Sequence, residues 1–70
     1  MKAEEWVERF AGEIGADAPD ATEVEAILEL AAVAAHSSER VAAPVACWLA
    51  GRSGRSLEEL RDLAEDVAGG

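Results

Sequence analysis

The sequence predicts an all-α fold, a compact four-helix domain with two central apolar helices. Three observations support it. No segment alternates β-branched or aromatic residues with polar ones at a period of two, so no strand is expected. Apolar residues instead recur at helical spacing in four segments, separated by clusters of Gly, Pro, Asp and Ser. Alanine, the strongest helix former, is abundant throughout. The connections are only a few residues long, which favours antiparallel neighbours in a helical bundle.

The first helix is expected over about 3–14. Trp6, Val7, Phe10, Ala11 and Ile14 fall on one face. Glu5 and Arg9 are spaced to pair on the outside. Gly15 is a natural stop, and the loop ADAPDA carries Pro19 and two aspartates that favour a turn. The second helix is expected over about 22–36, opened by Thr22 and Glu25 at capping-box spacing. Val24, Ile27, Leu28, Ala31 and Ala35 form one face, while Leu30 and Val33 with Ala26 lie on another. The third is expected over about 41–51, with Ser37 or Ser38 able to cap it and Pro44 in its first turn, where a missing N–H is tolerated. One face holds Val41, Val45, Trp48 and Leu49; the other holds Ala42, Ala43, Ala46, Cys47 and Ala50, and Gly51 ends the helix. The fourth is expected over about 56–68. Ser56 and Glu59 have capping-box spacing, and Leu57, Leu60, Leu63, Ala64 and Val67 give it a stripe.

The most informative stretch is HSSERVAAPVACWLAG, residues 36–51. It sets a polar cluster between two segments without polar backs. Residues 26–35 carry one charge, Glu29, and residues 41–50 carry none. A helix buried on one side shows an apolar stripe and a polar back. Two helices without one are hard to bury inside a chain of 70 residues.

Seventy residues make one domain, 1–70. A chain of this size buries only about 60–65% of its unfolded surface, so its own core is marginal. The single cysteine, Cys47, excludes an internal disulfide. One Cys and one His fall short of the roughly four ligands of a structural zinc site, so no metal and no cofactor is expected. Good helix packing, self-association or docking onto another domain remain as sources of stability.

The net charge of −9 opposes nucleic-acid binding, whose affinity comes from neutralising phosphates, and adsorption to anionic membranes. No apolar run approaches the roughly 18–20 residues of a membrane span. Lys2 followed by Glu4 and Glu5 is not the order of a signal peptide, and a free thiol fits a reducing compartment, so a cytoplasmic location is expected. The charge is uneven: residues 1–35 are net −7, residues 36–57 net +2 and residues 58–70 net −4.

At residues 36–51 the sequence resembles the small uncharacterised helical domain of actinobacterial type. The resemblance rests on Ala35, His36, Glu39, Arg40, Ala42, Ala43, Pro44, Leu49 and Gly51, with Trp6 and the aliphatic run 27–30. Such domains stand alone or form the C-terminal tail of some molybdenum-cofactor guanylyltransferases. The resemblance implies no catalytic residue. The chain has neither the Gly-rich nucleotide turn nor room for the α/β sheet of such an enzyme.

Several residues carry two readings. His36 and Cys47 could form a nucleophilic pair, but Cys47 lies among alanines with no cation nearby in sequence, so an inert thiol is expected and the chain is read as non-enzymatic. His36 at a helix C-terminus is favoured by the helix dipole, or contacts a ligand. Glu39 and Arg40 could contact a partner or ligand, or fix the bend by ion pairing and capping. Arg52, Arg55 and Ser56 could hold an anion ahead of the fourth helix; an ordinary polar turn is the alternative, with both loop arginines pointing into water. Trp6 and Trp48 read first as core, and Trp48 could instead anchor an interface. The function expected is a non-catalytic interaction or accessory module, which the resemblance links to molybdenum-cofactor biosynthesis. Its partner would be a protein or another copy, contacted through the apolar helices and His36, Glu39, Arg40 and Trp48. The alternative is a small-molecule or anion-binding domain using residues 36–40 and 51–56.

Overall fold

A computed structural model describes residues 1–70. The chain is all-α, with four helices and no strand: α1 Ala3–Ile14, α2 Ala21–Ser37, α3 Ala42–Ser53 and α4 Leu57–Gly69. The molecule measures 38 × 24 × 18 Å. α2 is the organising element, packing along α3 on one side and along α4 on the other.

Local chemistry sets the boundaries. Gly15 ends α1 in the left-handed region at φ 72°, and the Ala16 N–H closes the turn on the Ala11 carbonyl at 2.9 Å. α2 begins two residues earlier than a Thr22 cap would allow, because Asp20 is the cap. The Glu23 N–H donates to Asp20 Oδ1 at 2.8 Å, and the Asp20 N–H donates to Glu23 Oε1 at 2.9 Å. The expected box at Thr22 and Glu25 is not the one that forms. Both spacings satisfy the pattern, but Asp is the stronger cap. Starting there also brings Pro19 and Val24 into one depression, the positions that staple a helix entry.

α3 differs at both ends from its expected span. Neither serine caps it. Ser37 donates back to the Val33 carbonyl at 2.7 Å, and the N-cap Val41 has no side-chain bond. The start is held instead by backbone: the Ala42 N–H donates to Glu39 O at 2.9 Å and the Ala43 N–H to Arg40 O at 3.2 Å. Pro44 lies in the first turn as expected. Gly51 does not stop the helix. Ser53 Oγ donates to the Ala50 carbonyl at 2.7 Å and accepts from the Arg55 N–H at 3.2 Å, and Gly54 makes the left-handed turn at φ 75°. At α4 only half the expected box forms. The Glu59 N–H donates to Ser56 Oγ at 3.1 Å, while the Glu59 carboxylate turns to Arg55.

Burial is sparse. Leu30 at 5% exposure and Ala11 at 8% are the only buried residues. Around Leu30, the inward residues Ile27, Cys47, Leu57 and Leu60 are partly covered. α4 turns Leu57, Leu60 and Ala64 inward, but Leu63 and Val67 of the expected stripe are exposed. The expected core face of α1 is exposed apart from Ala11: Trp6, Val7, Phe10 and Ile14 all face outward to some degree. The anticipated Glu5 and Arg9 ion pair is not among those formed.

Candidate interaction surface

α3 is mounted with its large side chains outward. Ala42, Ala43, Ala46, Cys47 and Ala50 are partly covered, while Val41, Val45, Trp48 and Leu49 are exposed. Both faces are apolar, so burying either would satisfy the hydrophobic pattern. The small face approaches α2 more closely and leaves the large face to solvent. Trp48 is 61% exposed, which corrects its reading as a core residue. Arg52, one turn on, places its guanidinium carbon 4.7 Å from the centroid of the Trp48 ring. That cation–π contact covers part of the ring and keeps a positive charge on the face.

α1 carries a second apolar face. Trp6 and Phe10 stack with centroids 5.0 Å apart at 24°, and the two residues are 55% and 49% exposed. Ile14 continues the stripe, and Arg9 and Glu13 border it. The stacked pair thus leaves much of its apolar surface open to solvent.

The polar residues singled out from sequence are not brought together. His36 is exposed in the last turn of α2, in a depression shared with Val33, Glu65 and Ala68. Cys47 is in a different depression, between α2, α3 and α4, against Ile27 and Leu30. Burial there raises the Cys47 pKa above the ordinary thiol value, which disfavours the nucleophilic thiolate. Glu39 and Arg40 are exposed and form no side-chain ion pair; their carbonyls accept the first N–H groups of α3. The loop arginines, expected to point into water, both have partners. Arg55 bonds Glu59 at 2.8 Å across one helical turn, and Arg52 stacks on Trp48. Arg55 is thereby neutralised beside the start of α4, where it would otherwise add charge for an anion.

Arg61 was not anticipated from sequence. Its guanidinium bonds Glu29 at 3.0 Å and joins α4 to α2. Glu29, with Asp62 and Glu65 nearby, raises the Arg61 pKa further. The only sequence signal was Glu29 itself, the lone charge in the apolar stretch 26–35. No three His, Cys, Asp or Glu side chains converge to hold a metal ion, and no helix is long and apolar enough to cross a membrane.

Comparison with curated proteins and with solved structures gave no match. The family model for DUF6457, described as a domain of unknown function, matches residues 1–68, which include every helix and both outward apolar faces up to the last turn of α4. The chain belongs to the DUF6457 family.

Proposed function

We propose that the chain is a non-catalytic protein-interaction module that works through the outward faces of α1 and α3. The observation that carries this reading is the mounting of α3: alanines inward, and Val41, Val45, Trp48 and Leu49 outward. Monomers rarely leave contiguous large apolar side chains in water without a use. Tryptophan and arginine, here Trp48 and Arg52, are the residue types that dominate interface energetics. The depressed reactivity of Cys47 fits a module without catalysis. The alternative, a small-molecule or anion site, has less support. None of the main surface depressions is lined by Arg40 or Trp48, and Arg55 is engaged by Glu59.

The resemblance to the tails of molybdenum-cofactor guanylyltransferases makes such an enzyme the first protein to test as a partner, in a bacterial cytosol. The test is affinity capture with the wild-type chain and with Trp48→Ala, followed by mass spectrometry of proteins and metabolites. A protein captured by the wild type and lost with Trp48→Ala supports the reading. A metabolite retained by both chains, with no protein differing between them, overturns it in favour of the binder.

A further inference from the structure

We propose that the occupant of these faces is a second copy of the chain, the outward face of α3 seating on the Trp6–Phe10 face of α1 in the other copy, twice over in a two-fold dimer. The inference rests on the interaction reading and names its partner.

Surface area is the first argument. The chain exposes 5602 Å². A folded monomer of 7.3 kDa exposes about 4,200 Å² on the usual scaling of area with mass. The excess is about 1,400 Å² per copy. Two copies covering it would bury about 2,800 Å² in total, within the range of obligate homodimers. The deficit is internal as well: two buried residues in a chain of 70 do not make an independent core. A second copy is the one partner supplied in equal amount whenever the chain is made.

Charge and the need for cover together bear on which faces meet. Arg40 is exposed at the start of α3 and Arg52 lies over Trp48, so the outward face carries positive charge, whereas Arg55 is paired with Glu59 and lines the inward depression beside Cys47. The rest of the chain is strongly acidic, since the whole carries −9. Pairing α3 with its own equivalent would set arginines against arginines. Pairing it with the Trp6–Phe10 face of α1 offers the arginines the Glu13 carboxylate, which borders that face together with the single base Arg9, while Glu4 and Glu8 lie on the far side of α1 beside Val7. α1 also needs cover for its own sake. It is a 12-residue helix with only Ala11 buried, and an isolated helix of that length is marginal in water. An α3 helix laid over Trp6 and Phe10 supplies the missing packing. In a two-fold dimer the contact occurs twice, so both apolar faces of both copies are covered and the assembly closes.

The test is sedimentation equilibrium across the micromolar range, with far-ultraviolet circular dichroism on the same samples. The wild type is expected at twice the chain mass of 7.3 kDa. Val45→Glu on α3 and Phe10→Glu on α1 should each weaken association by about tenfold or more. Mixing the two should restore mass, because one α3 and one α1 face remain intact and can meet. If either variant alone loses helicity, the mixture should regain it. Arg52→Glu, at an exposed position, should weaken association while leaving the helices formed. A folded wild-type monomer overturns the dimer. So does a Val45→Glu chain that associates like the wild type, and so does a mixture no heavier than its components, which would move the contact to α3 against α3. A folded monomer that still loses a captured protein on Trp48→Ala overturns the dimer and keeps the interaction reading. A folded monomer that captures no protein overturns both.

Discussion

Leu30→Ala should be among the most costly single substitutions in this chain. Leu30 is 5% exposed, at the junction where α2 meets both α3 and α4, with Ile27, Cys47, Leu57 and Leu60 beside it. Truncating a buried leucine costs about 2–5 kcal/mol, depending on how far the site collapses. Here the surroundings are only partly covered and can settle inward, so the low end applies, about 2–3 kcal/mol. A chain of 70 residues has a total stability of about 3.5–10 kcal/mol, so this one change removes a large share. The assay is urea unfolding followed by circular dichroism, at one fixed protein concentration because assembly feeds into apparent stability. With a slope of about 1 kcal/mol/M, the midpoint should fall by about 2–3 M. Val67→Ala, at a residue 80% exposed, should move it by no more than about 0.5 M. If the two variants unfold at the same midpoint, α2 is not the organising helix and the packing scheme is wrong.

Gly51→Ala and Gly54→Ala should move stability in opposite directions in thermal melts. Gly51 is inside α3 with open space where a Cβ would go, so alanine should stabilise by about 0.5–1 kcal/mol. Gly54 at φ 75° should lose about 1–2 kcal/mol on the same change. Asp20→Ala should cost about 1 kcal/mol by removing the cap of α2, while Thr22→Ala stays within about 0.5 kcal/mol; equal melting temperatures would discredit the assigned box. Cys47 binds its proton more tightly folded than unfolded, so its contribution is complete below the ordinary thiol pKa and is lost as pH rises through the raised folded value. Urea midpoints of wild type and Cys47→Ala should therefore run parallel at neutral pH and diverge in alkali, the wild type falling faster. Arg61→Met should lower the melting temperature, and high salt should shrink that loss by weakening the wild-type ion pair; Arg40→Gln should melt within about 0.5 kcal/mol of wild type.

The sequence made the number and order of helices legible, because each is delimited by residues whose backbone preferences leave little choice. Gly15 stops α1 and Pro44 opens α3 where expected. Ser56 supplies the cap of α4. What stayed hidden was any choice between two options that the local pattern satisfies equally. Asp20 with Glu23 and Thr22 with Glu25 share one spacing, and the box forms at Asp20, the stronger cap. Gly51 and Gly54 can both end a helix, and Ser53 decided between them by bonding to the Ala50 carbonyl. The two faces of α3 are both apolar, so periodicity found them and could not orient them. Arg61 and Glu29 are thirty-two residues apart, and no local rule pairs them. The polar cluster at 36–40 looked like a centre of function. In the structure the carbonyls of Glu39 and Arg40 accept the first N–H groups of α3, while the His36, Glu39 and Arg40 side chains are exposed.

The mounting of α3 reverses the usual relation between a residue's size and the constraint upon it. In most helices the large apolar positions resist change and the alanines tolerate it. Along α3 the helix separation is fixed by the smallest side chains, Ala43, Ala46, Cys47 and Ala50, and each added methylene there must push two helices apart. Val41, Val45, Trp48 and Leu49 face outward and can be exchanged without disturbing that spacing. The small residues therefore answer to the architecture of the chain itself, while the large ones answer only to whatever meets them. One helix thus carries two separable sets of constraints: an inner row held by the spacing of α2 and α3, and an outer row free to be retuned by substitution without moving that spacing.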